Sequence, residues 1–295
     1  MRSVFLNRQR KADLLLLAVT AMWGTSYYLT DLCLTDLPPM CLNAFRFLAA
    51  FIVLGICFSK NIRKVNRATL RVSLLVGLIL TGTYVFYGYG ISRTSLTNAG
   101  FICALPVVFT PILAFIFCRV RPKRKLLLCL CLCTVGLVLL TLNDSFRPAL
   151  GDLICLGVPL CYAGDLLVTE KAVQRPEIDA LALGVCQLGV VGVIMLVLSL
   201  ILEQPHLPTT PATWGAALFL GLFCSGAAFV IQSVQQKYTT ASHVGLIFTL
   251  EPVFSAALAF FLAGEVLSLR GYIGMALMLA SLIIMEADFP VSKKA

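Results

Sequence analysis

Long apolar runs separated by short polar segments make up most of the chain. Clusters of charged residues, pairs of prolines and glycine-rich breaks divide the sequence into ten apolar segments. A helix rises 1.5 Å per residue, so about 20 apolar residues cross the ~30 Å hydrocarbon core of a bilayer. The sequence therefore predicts an all-α integral membrane protein with ten transmembrane helices, at residues 12–33, 40–59, 69–91, 95–118, 124–142, 150–169, 179–202, 213–234, 241–263 and 268–286.

One part of the sequence occurs twice. With an offset of 145 positions, residues 94–115 align with residues 239–260 and share eight identities in 22 positions, which indicates an internal duplication. We therefore predict two repeats, residues 1–148 and 149–295. Because each repeat holds five spans, an odd number, the second repeat enters the membrane inverted relative to the first. Inverted repeats place a binding site near the membrane midplane, at the interface where they meet.

Composition and charge indicate the class of the protein and its orientation. The chain is 59% apolar and 13% charged, with a mean hydropathy of +0.94, which lies outside the range of soluble domains. With a cytoplasmic N-terminus, nineteen of the 23 lysines and arginines fall on the cytoplasmic side and three on the other. Both termini are therefore predicted to be cytoplasmic. The net charge of +9 then reflects the orientation in the membrane and indicates an affinity for anionic lipid. No nucleic-acid partner is expected.

The sequence lacks the motifs of several other chemistries. No G-x-x-x-x-G-K-[ST] motif is present, which excludes a pump driven by an ATPase within this chain. No H-E-x-x-H, G-x-S-x-G or paired-aspartate motif indicates an enzyme, so no catalytic residue is predicted. Nearly all of the twelve cysteines lie inside apolar segments, and the run Cys129, Cys131 and Cys133 points to different sides of a helix. We therefore expect neither a metal site nor a cofactor.

An acidic residue and a proline interrupt the apolar stretch at residues 239–265. A carboxylate near the middle of a span costs several kcal/mol unless it faces protein or water, so Glu251 is predicted to face the interior. Pro252 removes one backbone hydrogen bond and is expected to kink the helix. We predict Glu251 as a proton-coupling residue, with His243, about two turns earlier, as a second candidate. The alternative for both is a structural hydrogen bond to a neighbouring helix.

Polar and aromatic side chains recur at helical spacing in four of the segments, which places each set on one helical face. We predict that these faces line a polar cavity, because polar side chains that face lipid are costly. The alternative is that they only pack against neighbouring helices. Asp165 is expected to pair with a substrate amine or to be hydrated near the cytoplasmic face, and Arg46 to snorkel outward in a structural role. The predicted substrate-binding residues are Trp23, Tyr27, Tyr84, Tyr87, Tyr162, Asp165, Phe229 and Gln232.

Several motifs resemble those of the EamA family of the drug/metabolite transporter superfamily, in both repeats. They are Trp23-Gly24-Thr25-Ser26, Arg46-Phe47, residues 95–111, Leu250-Glu251-Pro252-Val253-Phe254, Gly264-Glu265 and Gly271. The resemblance implies a fold of five plus five helices in a bacterial cytoplasmic membrane, and transport, often export, of amino acids or other small metabolites. Two departures stand out: Arg119-Val120-Arg121-Pro122 replaces the usual Gly-Glu of the first repeat, and Pro106 stands where the second repeat has Glu251.

Three functions compete on this evidence. A secondary transporter that works by alternating access accounts best for the inverted repeats and the interior polar residues. A membrane channel or sensor is the alternative, and an intramembrane enzyme would need a nucleophile–base pair or metal ligands that the sequence does not offer. The expected partners are a small-molecule substrate and membrane lipid, and a homodimer stays open.

Overall fold

A computed structural model describes residues 2–91, 93, 101–141, 150–263 and 268–286 of the chain. Every regular element in these ranges is helical, which confirms the predicted all-α class. The helices are α1 (Arg2–Leu34), α2 (Pro39–Cys57), α3 (Ser59–Ile62), α4 (Arg67–Ile91), α5 (Pro106–Cys118), α6 (Arg124–Thr141), α7 (Leu150–Cys155), α8 (Gly157–Val173), α9 (Ala180–Leu202), α10 (Pro211–Phe219), a π-helix (Leu220–Ala227), α11 (Ala228–Gln235), α12 (Ala241–Phe248), α13 (Glu251–Ala263) and α14 (Leu269–Glu286).

Seven helical spans within the described ranges are long and apolar enough to cross a bilayer. They are Pro39–Cys57, Arg67–Gly90, Phe101–Cys118, Leu150–Val173, Ala180–Leu202, Pro211–Gln235 and Ala241–Leu258. Leu269–Met285 is an apolar helix that is shorter than these spans. These spans confirm an integral, multi-pass membrane protein, while the number of ten spans stays a prediction.

Two of the predicted spans are interrupted at equivalent positions of the repeats. In the ninth, α12 ends at Phe248 and α13 begins at Glu251, so Pro252 lies in the first turn of a new helix. In the fourth, a turn at residues 104–105 precedes α5, which begins at Pro106. Proline suits the first turn of a helix, where its missing N–H would have no partner. Instead of the predicted kink within one helix, the span has a break just before Pro252, and the break before Pro106 is its counterpart in the first half.

Hydrogen bonds between loops and helix ends define one end of the bundle, which we call the Asp36 end. The Glu203 carboxylate, just after α9, accepts hydrogen bonds at 2.9 Å from the backbone N–H groups of Met40 and Cys41 at the start of α2. The Asp36 carboxylate accepts hydrogen bonds from the backbone N–H and the hydroxyl of Thr209, at 2.8 and 2.7 Å. These bonds join the loop after α1 to the segment before α10, across the two halves of the chain.

The opposite end, the Asn66 end, holds the other set of connections. The Asn66 side-chain amide donates a hydrogen bond to the Glu177 carbonyl at 2.6 Å, which joins the start of α4 to the loop before α9. The Lys125 ammonium donates to the Met285 carbonyl at 2.7 Å, so the start of α6 lies beside the end of α14.

Helices α6 and α14 approach each other more closely than side chains would allow. A Cβ atom at Gly136 would lie 2.6 Å from the Gly274 carbonyl oxygen, and one at Gly274 would lie 2.5 Å from the Gly136 carbonyl oxygen. Small residues permit such backbone contact between helices in a membrane, where dispersion forces hold helices together.

Candidate substrate cavity

A cavity of about 170 Å³ lies between helices from both halves of the chain. It extends to Leu34, Pro39 and Gly88, which lie at the Asp36 end of α1, α2 and α4. The first half contributes Trp23, Asn43, Arg46, Tyr84 and Tyr87 to its walls. The second half contributes Tyr162, Phe229, Phe248, Thr249 and Glu251.

An aromatic cluster of Trp23, Tyr162, Phe229 and Phe248 forms the deep part of the cavity. The Trp23 ring centroid lies 4.7 Å from that of Phe248 and 5.6 Å from that of Phe229, within the range of favourable ring pairs. The Trp23 indole N–H donates a hydrogen bond to the Cys224 carbonyl at 2.7 Å. Trp23 lies roughly 16 Å nearer the Asn66 end than Leu34 along α1, so the cluster lies deep in the bundle.

Arg46 is buried in the cavity wall, with 6% of its surface exposed. Its Nε donates a hydrogen bond to the Ser225 hydroxyl at 2.7 Å, and its guanidinium lies 5.6 Å from the Tyr84 ring centroid. The expectation that Arg46 snorkels outward is therefore wrong, because a hydroxyl from the second half and an aromatic face hold the cation inside. A cation within an apolar run was the signal that should have marked it as interior.

Glu251 borders the same cavity as Arg46 and is partly buried. It is the first residue of α13, where the positive end of the helix dipole favours a negative side chain. The cavity wall thus carries one basic and one acidic side chain within a lining of aromatic, aliphatic and neutral polar residues.

A hydrogen-bonded chain of polar side chains runs from the cavity wall into the protein. The Tyr162 hydroxyl donates to the Gln232 side-chain carbonyl at 2.9 Å, and the Gln232 side-chain amide donates to Asp165 Oδ2 at 3.1 Å. Asp165 is fully buried, and its Oδ1 has no hydrogen-bond partner within the described part of the chain. Asp165 and Gln232 therefore lie behind the cavity wall, connected to it through Tyr162.

His243 lies apart from the cavity, toward the Asn66 end. Its Nε2 is 3.6 Å from Asp13 Oδ1, and both residues are buried, with 5% and 7% of their surface exposed. This contact links α1 of the first half to α12 of the second. Sequence reasoning did not select Asp13 as a functional candidate, although an acidic residue inside the first apolar segment was a usable signal.

The ten candidate residues thus fall into three groups. Asp165, Gln232 and His243 do not border the cavity, and the side chain of Tyr27 lies outside the described residues. The candidates that do border it are Trp23, Tyr84, Tyr87, Tyr162, Phe229 and Glu251.

Comparison with known proteins identifies the family. The model of the EamA-like transporter family matches residues 10–142 and again residues 149–286. The chain belongs to the EamA-like transporter family. This family is part of the drug/metabolite transporter superfamily, so the protein is a membrane transporter with two EamA repeats.

Relatives of this EamA protein occur in archaea and bacteria. An uncharacterized transporter of Archaeoglobus fulgidus is 23% identical over 275 residues, which cover 93% of this chain and 85% of the relative. The uncharacterized transporter YwfM of Bacillus subtilis is 23% identical over 293 residues, which cover 93% of each chain. A protein of solved crystal structure has a TM-score of 0.78 at 17% identity, over 94% of this chain and 96% of that one, and so shares its fold.

Proposed function

We propose that this EamA protein is a secondary transporter that exports small organic metabolites such as amino acids. Substrate would bind in the cavity between two inverted five-helix repeats, residues 1–148 and 149–295, which together form ten spans. The observation that carries the proposal is that both family-matched regions supply walls to one cavity. In inverted-repeat transporters the substrate site lies at such an interface, and the repeats rock around it to change its accessible side.

The shape of the cavity favours alternating access over a channel. With both termini in the cytoplasm of a bacterium, the Asp36 end faces outward and the cavity reaches toward that side. Trp23, Phe229 and Phe248 of the aromatic cluster are buried and would then separate the cavity from the cytoplasm. A channel needs a continuous path through the membrane, whereas a transporter is closed on one side in each state.

Size and charge of the cavity favour a small zwitterion. Its volume of about 170 Å³ is below the ~300–1,000 Å³ of pockets for drug-sized ligands. Arg46 offers a guanidinium for a carboxylate, and Glu251 offers a carboxylate for an ammonium group. The aromatic rings of the cavity wall would bind an apolar or aromatic side chain. An α-amino acid combines these three features.

Ionisable residues supply the coupling in this proposal. Glu251 borders the cavity and would exchange a proton with whichever side the cavity faces. His243, which contacts Asp13 toward the Asn66 end, stays the second coupling candidate.

Counterflow in proteoliposomes tests the function. Vesicles loaded with unlabelled amino acids should take up the same labelled amino acid, because a carrier exchanges substrate across the membrane and a channel does not. Trp23→Ala and Tyr162→Ala should lower this exchange roughly tenfold or more, the effect of removing an aromatic contact worth about 1.4 kcal/mol. Phe261→Ala, at an exposed position of α13, is the matched control and should exchange like wild type.

Two results would contradict the proposal. Equilibration of substrate without any acceleration by internal substrate would indicate a channel. Exchange at the wild-type rate in both cavity variants, with normal expression, would place the substrate site elsewhere.

A further inference from the structure

An apolar groove of about 700 Å³ runs along the outside of the helix bundle between α5 and α6. It is lined by Ile112 and Phe115 of α5, by Leu127, Cys131 and Val135 of α6, and by Pro122 in the connection between them. Ile112 and Phe115 expose 47% and 50% of their surface, so the groove faces lipid. Within the described part of the chain, the groove shares no residue with the substrate cavity.

A basic segment lies at the Asn66 end of this groove. Residues 119–125, which connect α5 to α6, contain five basic residues and no acidic residue. Lys125 is held by the Met285 carbonyl. The other four, Arg119, Arg121, Lys123 and Arg124, are exposed. Among the side chains that the structure describes, none of these four has a carboxylate within ion-pair distance.

Arg119 has a backbone conformation that is unfavourable for a residue with a side chain. Arg119 directly follows α5 with φ of 53°, in the left-handed region, and it is the one non-glycine residue with positive φ among the described residues. Glycine is the residue that fits this position after a helix, because it lacks the Cβ that clashes there. A residue held in an unfavourable backbone conformation suggests a role for its side chain.

We propose that the groove and the basic segment together bind an anionic phospholipid. One acyl chain would lie in the groove, and the phosphate would lie against Arg119 and Arg121, just before the groove residue Pro122. Guanidinium groups bind phosphate oxygens in pairs, and basic clusters beside intramembrane grooves recognise anionic headgroups. The lipid would occupy the leaflet at the Asn66 end, which is the cytoplasmic leaflet in the predicted topology. This site is independent of the substrate cavity.

Thermal unfolding of the purified full-length protein in a neutral detergent tests the proposal. Phosphatidylglycerol should raise the melting temperature more than phosphatidylcholine with the same acyl chains, because a ligand that binds only the folded protein stabilises it. The double variant Arg119→Gly/Arg121→Gln should lose this difference. Lys60→Gln/Arg63→Gln removes the same charge from exposed positions beyond α2 and should keep it. Cys131→Trp, which fills the groove and leaves all charges in place, should lose it.

Two further measurements separate lipid binding from other causes. Arg119→Gly alone should melt no lower than wild type in lipid-free detergent, because glycine relieves the left-handed conformation. Soluble glycerol phosphate should not reproduce the effect of phosphatidylglycerol, since it lacks the acyl chain.

Each of the opposite results overturns the site. If phosphatidylglycerol stabilises wild type no more than phosphatidylcholine does, the proposed site has no basis. Full stabilisation of the double variant or of Cys131→Trp would show that the lipid binds elsewhere. An equal loss in Lys60→Gln/Arg63→Gln would indicate a diffuse surface-charge effect. Full stabilisation by glycerol phosphate would indicate an anion site without a lipid. A lower melting temperature of Arg119→Gly without lipid would make Arg119 a structural residue.

Discussion

At the scale of single residues, the two interior carboxylates Glu251 and Asp165 differ in what can reach them. Glu251 borders the cavity, which is the proposed substrate site, and lies at the positive end of α13. Asp165 is fully buried behind Tyr162 and receives one hydrogen bond from Gln232. A coupling group must exchange protons with both sides of the membrane in turn, which favours Glu251.

We therefore expect Glu251→Gln to lose proton-driven accumulation of substrate and to retain counterflow. Glutamine keeps the size and the hydrogen-bonding capacity of the side chain but cannot exchange a proton. Asp165→Asn is the matched variant and should retain both activities. The measurement is uptake into proteoliposomes with and without an imposed pH gradient, beside counterflow in the same vesicles. If Glu251→Gln accumulates substrate at the wild-type level, Glu251 has a structural role. If Asp165→Asn alone loses proton-driven accumulation, the coupling role belongs to Asp165.

The loop carboxylate of Asp36 predicts a pH dependence of stability outside the membrane. Hydrogen bonds from the Thr209 backbone N–H, the Thr209 hydroxyl and the Thr213 hydroxyl lower the pKa of Asp36 from 3.8 to about 2. A carboxyl group whose pKa is lower in the folded than in the unfolded protein stabilises the fold at any pH above its unfolded-state pKa. This stabilisation disappears as the pH falls through the folded-state pKa. Wild type should thus have a higher melting temperature than Asp36→Asn at neutral pH. The difference in melting temperature should shrink as the pH falls from 3.8 toward about 2.

Melting curves of both proteins across this pH range provide the measurement. Asp31→Asn removes the same charge from an exposed position nearby and serves as the control. A difference between wild type and Asp36→Asn that stays constant down to about pH 2 would contradict the assignment of these hydrogen bonds to the ionised carboxylate.

The placement of single residues was predictable from the sequence where it depends on local spacing. Trp23, Tyr84 and Phe229 lie on helix faces that their spacing identifies, and the structure places all three on one cavity. Arg46 was not predictable in the same way, because its partner Ser225 is 179 positions away in the chain. The pairing of Asp13 with His243 likewise joins the two halves and leaves no local pattern.

At the scale of elements, the breaks in the helices differ in how far the sequence reveals them. Pro252 predicts its own break, since proline is unfavourable inside a helix and suitable in a first turn. The π-helix at Leu220–Ala227 has no comparable signal and lies inside a segment predicted as one continuous span. It packs against α2, so its hydrogen-bond register depends on a partner far away in sequence.

The close contact between α6 and α14 predicts a strong effect of one methyl group. Gly136→Ala should destabilise the protein by roughly 1–3 kcal/mol, because the new Cβ would meet the Gly274 backbone and force the helices apart. Thermal unfolding in detergent measures the effect. Gly55→Ala, where a Cβ would have no neighbour within 4 Å, is the control and should melt at or above wild type. Equal stability of Gly136→Ala and Gly55→Ala would contradict the close helix contact.

At the scale of the whole molecule, the apolar pattern alone was enough for the all-helical membrane class. The described helices and the family match agree with that class. The sequence identities between the halves pointed to a duplication, and the family model matches twice. The number of spans and the inversion of the second repeat depend on where each loop lies relative to the membrane. Helix length and hydropathy do not fix that position, which leaves both as predictions.

The distribution of basic residues predicts the membrane orientation, and cysteine labelling in whole cells decides it. Both termini should be cytoplasmic, because this places nineteen of the 23 basic residues on the cytoplasmic side. In a background without reactive native cysteines, Ser292→Cys should resist an impermeant thiol reagent until the cells are permeabilised. Asn143→Cys, in the connection between the two halves, should be labelled in intact cells. Thr35→Cys, beside Asp36, should behave like Asn143→Cys, and Asn61→Cys, between α2 and α4, like Ser292→Cys. Labelling of Ser292→Cys in intact cells would reverse the orientation, and with it the side toward which the cavity extends in this structure.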